Sequence, residues 1–459
     1  MATRQSRPSW TFRRAVAVTA AAGTLFAVGA CGSSTAAGDG GSSVGTPSAS
    51  GSSGSAGDIK GDLHILVSSA DASDAAFRAI NEAFSAKYPD VKVDFSSVPN
   101  DSYPATKSSR LTANNVDIFV VKSLVEVPEY AKGSESDDAL LAEGGGLVDL
   151  TNEPFMKDYT PSVLQAQAFK GKQYMVPTGL SYSTGVYYNK KIFSDNGIDV
   201  PTTWDELVAA CDKLEKAGVT PFGIGGKDEW PAGLLMLGSV ASLYPTLDDK
   251  QQLAKDLWEQ KVKLTDEGPQ GVLEKVAKIY SYAQKNFAGT GYDQIPAEFA
   301  KGDFAMTADG TWNEPTIAAA VGDKFDIGYF PFPGSDNADD NKFLNGKIEL
   351  QLAVSAGSKN KDAALAWLGF FSDPANYKTF VAKSGFSSAE PNIPATDFLD
   401  SIADYTSTYQ PAWDQVWTAN NKAGSQAVYP FNYPAIAPMG KDDAAGAAAA
   451  AETDWSAAF

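Results

Sequence analysis

Three observations predict an α/β fold divided into two domains for this 459-residue chain. Short apolar runs alternate with stretches of helical periodicity, as in strand–helix–strand units around a largely parallel sheet. The folded part, roughly 400 residues beyond a leader and a linker, is too long for one hydrophobic core. Of the two cysteines, Cys31 and Cys211, the first is assigned below to a lipid. No internal disulfide is then available, and the fold must rest on its core.

The chain opens with a basic segment holding Arg4, Arg7, Arg13 and Arg14. Ala15 to Ala30 follow without a charge, ending in Val28-Gly29-Ala30-Cys31. A charged start, a short apolar run and small residues at the cleavage point describe a secretory signal peptide over residues 1–30. The run is shorter than the ~20 residues a membrane span needs. Arg13-Arg14 suits twin-arginine export, but its flanks are weak and ordinary secretion is preferred. Val-Gly-Ala-Cys resembles a bacterial lipobox. That resemblance implies a lipidated Cys31 heading the mature chain on the outer face of the cytoplasmic membrane. After Cys31, the rest of the 31–57 segment is nearly all Gly, Ser, Ala and Thr. Such a stretch buries too little apolar surface to offset backbone entropy and is expected to be a flexible tether. Gly41-Ser42-Ser43-Val44-Gly45 matches G-x-S-x-G, yet a linker has no strand-turn-helix in which to set a nucleophile.

Beyond the tether, Asp62-Leu63-His64-Ile65-Leu66-Val67 reads as a buried strand, with the only histidine as a satisfied core residue. Phe77, Ile80, Phe84 and Tyr88 follow at helical spacing until Pro89 stops the run. Val91, Val93 and Phe95 alternate as a second strand, and Asp117-Ile118-Phe119-Val120-Val121 forms another. Ligands of such sheets bind beyond the carboxyl ends of strands. This singles out Ser68, Ser69 and Asp71 after the first strand, and Lys122 and Ser123 after Val121. Thr203 and Glu206 form a capping box. Trp204, Leu207, Val208, Cys211 and Leu214 then line one helix face, on which Cys211 reads as a small buried hydrophobe.

Loss of residues 1–30 takes four arginines from the 37 basic residues and nothing from the 56 acids. The mature chain therefore carries 33 against 56, a formal charge of −23. Such a chain repels nucleic acid and anionic membrane. Only Arg78 and Arg110 remain, leaving little scope for the guanidinium forks that clamp phosphate and carboxylate ligands. The 9 Trp, 18 Tyr and 24 Phe point instead to a neutral ligand. Flat aromatic faces suit pyranose rings, while Asp, Glu and Asn suit their hydroxyls.

Five segments carry a family resemblance: GKQYMVP (171–177), VYYNKKIF (186–193), GIDVPTTWDEL (197–207), EFAKGDFAMTADGTW (298–312) and SAGSKNKDAALAWLGFF (355–371). In this order and spacing they resemble the extracellular solute-binding proteins of bacterial ABC sugar importers, of the maltose- and oligosaccharide-binding lipoprotein type. The resemblance runs from about residue 58 to residue 438. It implies a two-lobed periplasmic-binding-protein fold, type II-like, with two α/β lobes, a hinge and a ligand cleft between them. Lobe one would hold 58–178 and 334–373, and lobe two 179–333 and 374–459. The crossings would fall near Val176–Thr184, Phe330–Gly334 and Ser372–Pro374. It further implies a monomer that captures a carbohydrate, needs no cofactor, delivers its solute to the permease of an ABC importer, and meets the membrane only through its lipid.

The resemblance also puts Trp312 where the family stacks on a sugar ring, and Tyr182 in the first crossing where a ligand contact lies. Read from the residues alone, Trp312 follows a glycine-containing turn and can present its face to a cleft. Beside it Asp309 either accepts hydroxyl hydrogen bonds or, as a turn-former, bonds local amides. Trp230 sits in the glycine-rich run Gly225–Pro231. Lys347-Ile348-Glu349-Leu350-Gln351 reads as a strand with Glu349 and Gln351 on one face, and a charge there needs a partner or a cleft. Trp413 and Trp417 are four apart on a helical stretch, with Trp413 the one expected at the cleft.

Signals for catalysis are thin. No HExxH, Walker loop or zinc-type cysteine pair occurs. Asp336-Asn337-Ala338-Asp339-Asp340 lacks the glycine and terminal glutamate of an EF-hand and reads as a solvated loop. No metal is expected. Two rival readings stand beside the receptor: a secreted carbohydrate-active enzyme using Asp309 with Glu349, and a binding protein for a non-sugar solute such as a peptide or polyamine.

Overall fold

Ten strands run through the computed structural model, which describes residues 59–459 except Val428. They are β1 (Gly61–Ser68), β2 (Val91–Val98), β3 (Ile118–Val121), β4 (Gly179–Tyr182), β5 (Gly185–Asn189), β6 (Met306–Ala308), β7 (Ile327–Pro331), β8 (Asn345–Glu349), β9 (Gln351–Val354) and β10 (Gln410–Pro411). The signal peptide, Cys31 and the linker lie outside the described residues. Among the described residues no helix is long and apolar enough to cross a membrane.

The first sheet has the order β2-β1-β3-β9. Its first three strands are parallel, and β9 pairs antiparallel with β3. Leu63, Ile65, Leu66 and Val67 of β1 are fully buried, because helices cover the sheet and a covered strand reads as a near-continuous apolar run. Helices Asp71–Lys87, Lys361–Phe371 and Pro374–Ser384 contribute Phe77, Trp367, Phe371 and Phe380 to this core. The Trp367 ring lies 5.4 Å from Phe371, and its Nε1 donates to Asn81 Oδ1 at 2.8 Å. The buried indole therefore keeps no orphan donor. His64 is tied down similarly: its Nδ1 lies 3.0 Å from Asp117 Oδ2, while Ser358 Oγ donates to the other carboxylate oxygen at 2.6 Å.

The second core surrounds the antiparallel sheet β6-β5-β7. Helix Trp230–Leu243 is buried on nearly every side from Pro231 to Ser242, the fate of a helix apolar all round. Cys211 is fully buried on helix Trp204–Lys216, a free thiol pushed up by burial. Thr203 Oγ1 accepts from the Glu206 amide at 3.3 Å. The Glu206 carboxylate turns instead to the Thr202 amide and hydroxyl, both at 2.8 Å. The expected capping box is thus only half built, because Thr202 offers two donors at once. A complete box forms at Thr246 and Asp249, ahead of helix Leu247–Trp258. Asp336 of the acidic loop accepts from the Asp205 amide at 2.9 Å, so one carboxylate of that loop serves the positive end of the Trp204 helix. A third, smaller core gathers Tyr182, Tyr187, Phe299, Phe304, Tyr329 and Leu344.

Short strands carry the chain between these cores. Val176 bridges to Leu352 of the first sheet, β4 pairs antiparallel with β8, and β5 already belongs to the second sheet. The return passes from β8 to β9 through Leu350, whose φ of 34° is a left-handed value branched residues seldom adopt. This differs from the crossing expected at Phe330–Gly334. Phe330 and Phe332 are buried in the second core and Leu344 in the third, so that segment has apolar partners only there. The departure expected at Pro374 does not occur either. Tyr377 and Phe380 meet Phe371, the latter at 5.0 Å between ring centroids, and hold the chain in the first core as far as Ala389.

Candidate functional site

At the end of β6 the chain turns through Asp309-Gly310-Thr311 into Trp312. Three buried tyrosines brace this turn. Tyr187 Oη donates to the Gly310 carbonyl at 3.1 Å, Tyr329 Oη to the Asp309 carbonyl at 2.8 Å, and the Tyr182 amide to Thr311 Oγ1 at 3.1 Å. Position 310 must be glycine, because a Cβ there would stand 2.0 Å from the Trp312 ring. Trp312 is half-buried and packs against both the first and the second core, at their junction.

The polar edges of the aromatics satisfy one another in a relay. Trp312 Nε1 donates to Tyr292 Oη at 3.0 Å, and Tyr292 Oη donates to Asp309 Oδ1 at 3.0 Å. Asp309 also accepts from the Gly310 amide at 2.8 Å and from Asn313 Nδ2 at 2.6 Å. Half-buried Trp230 packs edge-on against Tyr292 with centroids 4.5 Å apart and lies 6.4 Å from Trp312. The relay fixes the planes of these rings, a preorganised apolar surface with its hydrogen-bonding edge already engaged. Asp309 itself is 1 % exposed. Burial pushes its carboxyl up to about 7, against three hydrogen bonds that favour the charge. The expected contact with solute hydroxyls is therefore corrected: local donors occupy Asp309, which positions Tyr292 and, through it, Trp312.

Strand β8 adds charge. Lys347 Nζ stands 5.6 Å from the centre of the Trp312 ring, within cation–π range. It also lies 3.3 Å from Glu349 Oε1, which accepts from Ser181 Oγ at 2.6 Å. Burial tends to lower the Lys347 pKa, but Glu349 and Asp414 outweigh it and the group is raised. The strand expected over 347–351 breaks at Leu350. Lys347 and Glu349 consequently stay together on β8 while Gln351 leaves on β9. Asp309 is thus engaged by Tyr292, Gly310 and Asn313, and Glu349 by Ser181 and Lys347. Tyr409 and Tyr429 are 41 % and 50 % exposed, yet burial pushes both hydroxyls up.

From the first core, Lys122 and Ser123 follow β3. Their amides donate to Asp138 Oδ2 at 3.0 and 3.2 Å, and Lys122 Nζ stands 5.2 Å from the centre of the Tyr103 ring. Lys122 is exposed, and its Nζ donates to Asn100 Oδ1. Burial, followed by the Lys347 charge, lowers it to about 8, and this coupling links it to the Lys347 corner. Ser69 is half-buried beside β1 and donates to Asp74 Oδ2 at 3.3 Å. Asp71 starts helix Asp71–Lys87, and its side chain lies outside the described residues.

Two expectations are corrected by burial. Tyr182 is 5 % exposed and packs in the third core; its amide supports the Trp312 turn and its ring does not line the cleft. Trp413 is fully buried, stacked on Trp417 at 5.4 Å. The helix Trp413–Val416 is a single turn, so Trp417 leaves it in an extended conformation and reaches a cavity of about 680 Å³ that Trp413 does not line. Sequence reasoning did not single out Tyr292 and Lys347, which the structure sets against Trp312. Tyr292 alone carried a usable signal, an aromatic in a glycine-rich turn (Gly289-Thr290-Gly291) like that of Trp230.

Two cores joined by strand crossings, with an aromatic corner and a charged pair where they meet, define a two-lobed solute-binding architecture. Residues 68–378 match the family of bacterial extracellular solute-binding proteins, and the chain belongs to it. An uncharacterised ABC-transporter extracellular-binding protein of Pyrococcus horikoshii is 27 % identical over 340 residues, 70 % of each chain. The multiple sugar-binding protein of Streptococcus mutans is 26 % identical over 62 % of this chain and 65 % of its own. The diacetylchitobiose-binding protein DasA of Streptomyces coelicolor is 30 % identical over 56 % of each. The chain thus spans little more than half to about two thirds of these relatives. Among solved structures, a raffinose complex of the solute-binding protein RafE superposes with a TM-score of 0.71 at 23 % identity, covering 86 % of this chain and 99 % of its own. A chitin-oligosaccharide-binding protein gives 0.70 at 19 % identity, covering 87 % and 99 %.

Proposed function

We propose that this protein is the lipid-anchored receptor of an ABC importer, capturing a carbohydrate and handing it to the membrane permease. The observation that carries the reading is the half-exposed Trp312 ring at the junction of the two cores, held in plane by Tyr292 and Asp309 and joined by Trp230. Rigid aromatic faces beside partnered charges suit a sugar, whose ring stacks while its hydroxyls take the polar edge. The sugar-binding relatives support the same class of solute. Export and anchoring rest on the signal peptide and on Cys31. The protein acts as a monomer without cofactor, and its lobes close around the solute as hinged binding proteins do.

Thermal-shift measurement of the protein against mono- and oligosaccharides tests this reading, since a ligand bound only to the folded state raises the melting temperature. No shift with any sugar, alongside a shift with peptides or polyamines, would replace carbohydrate by another solute. The anchor has its own test. Acyl chains contribute about 0.8 kcal/mol per buried methylene, and two chains give a lasting anchor. Cys31→Ser is expected to move the protein from the membrane fraction to the medium, and a variant that stays with the membrane would refute lipidation.

A further inference from the structure

The strand crossings that join the cores meet at Thr178. Its amide and its hydroxyl donate to the Glu349 carbonyl at 3.3 and 2.9 Å, beside the passage from β8 to β9. Its own carbonyl accepts from Tyr377 Oη at 3.0 Å, and the same hydroxyl oxygen accepts from the Ala389 amide at 3.1 Å. Ala389 is fully buried, and there the chain leaves the first core for Leu399 in the third. Just before it, Ser387 and Leu180 of β4 exchange amide-to-carbonyl bonds, both 2.8 Å. The two segments run so close that a Cβ on Gly179 would stand 2.7 Å from the Ser387 carbonyl oxygen. The last crossing is thus tied to the first through Ser387 and Ala389, and through Thr178 to the β8–β9 passage.

Glu390, the next residue, opposes that tie. It is 4 % exposed, and its Oε1 has no hydrogen-bond partner among the described residues. The charges acting on it are both negative: Asp158, at the end of the turn Pro154–Asp158, and Asp373, the N-cap of helix Pro374–Ser384. The other titratable groups beside it are Tyr159 and Tyr377, whose hydroxyls burial pushes up and keeps neutral. Burial, with the two carboxylates adding to it, pushes Glu390 from an ordinary 4.5 up to about 8. A neutral carboxyl can stay in such a place. An ionised one needs a cation or water, and to reach water it must leave.

We propose that Glu390 is a pH-sensitive latch on the hinge: protonated, it lets the last crossing lie against Tyr377 and β4; ionised, it turns to water and releases that crossing. Protons therefore hold the latch. The hold is complete below the value of a hydrated carboxyl, 4.5, and is lost as pH rises to about 8. Over that window opening becomes easier by up to about tenfold per pH unit, and above it opening no longer changes. The latch acts on the empty hinge and is independent of which solute the cleft takes.

Hydrogen exchange of the full mature chain without solute, from pH 5 to pH 9, tests the proposal. Protection of the Leu180, Ser387 and Ala389 amides, taken relative to an unstructured chain at each pH, is expected to fall by up to about tenfold per pH unit as far as pH 8 and then to level off. Glu390→Gln keeps the shape and removes the titration, so protection of these amides should no longer depend on pH. Asp158→Asn leaves Glu390 in place with one like charge fewer, and the levelling-off should move to lower pH. Protection that is independent of pH in the wild type, or a fall that persists in Glu390→Gln, would overturn the latch. So would a fall in which the crossings lose protection only together with β1 and β3, because Glu390 would then ionise by global unfolding. If Glu390→Gln does not fold, Asp158→Asn decides alone, and an unshifted profile overturns the proposal.

Discussion

The two halves of this molecule solve different problems. The first is a layered α/β unit in which β1 and β3 are buried on both faces and helices cover them. It places Lys122 and Ser123 at the end of β3 and Ser69 at the end of β1. The second is helix-rich around a three-stranded antiparallel sheet. It carries Trp230, Tyr292 and Trp312 and invests buried tyrosines in holding the turn that presents them. Where a strand end supplies the ligand group, ordinary sheet geometry suffices. Where an aromatic face supplies it, the ring plane must be fixed by packing and by a hydrogen bond at its edge. Affinity should therefore be concentrated in the second half, and the first half should tune it.

The hardest test of that division is Trp312→Ala. Aromatic stacking contributes roughly 1–3 kcal/mol per ring, taking base–aromatic stacking as the nearest measured analogue. Sugar affinity is expected to fall about tenfold or more. Because the side chain is half-buried between two cores, some stability should go too, on the order of 1–2 kcal/mol. Titration and melting of one variant separate the effects. A collapsed melting temperature with unaltered affinity would make Trp312 a core residue and remove the contrast between the halves.

The legibility of the sequence divides along the same line. In the first half, β1 and β3 could be read because a covered parallel strand is a continuous apolar run, and β2 because its apolar residues alternate. Trp312 and Trp230 could be named because glycine-containing turns mark where an aromatic can leave the core. Tyr182 and Trp413 were misread for a shared reason: sequence spacing places an aromatic on an element but does not say which side of a short element is covered. Lys347 was invisible because its place against Trp312 comes from strands distant in the chain. The lobe crossings slipped because Phe330, Tyr377 and Phe380 are apolar in either assignment, and only packing decides which core takes them.

Asp309→Asn tests whether the second half carries a cost for its rigid corner. With its carboxyl at about 7 in the folded chain and near 3.8 when unfolded, the native state binds the proton more tightly. Its contribution to stability is complete below the unfolded value and is lost as pH rises towards 7, at no more than about 1.4 kcal/mol per pH unit. An asparagine keeps an acceptor for the Gly310 amide and Tyr292, and removes the titration. Denaturant melts at pH 5 and pH 8 should therefore show the variant gaining on the wild type at the higher pH. A wild-type-minus-variant difference that does not change with pH would mean Asp309 is ionised throughout, its three donors outweighing burial.

Lys122 reports on the first half. Burial and the neighbouring Lys347 charge hold it at about 8, with Lys107 adding to the repulsion and Glu349 and Asp138 opposing it. Separation of the two halves would return it towards the ordinary lysine value of about 10.4. Drawing them together around a solute would then release a proton when pH lies between those values. Affinity should be flat below about pH 8 and rise above it, by no more than about tenfold per pH unit, while Lys122→Gln removes the rise. Titrations from pH 7 to pH 9.5 on both proteins decide the matter. A pH rise retained by the variant would assign the proton elsewhere, and a tenfold loss at pH 7 would mean that the first half binds as strongly as the aromatic corner.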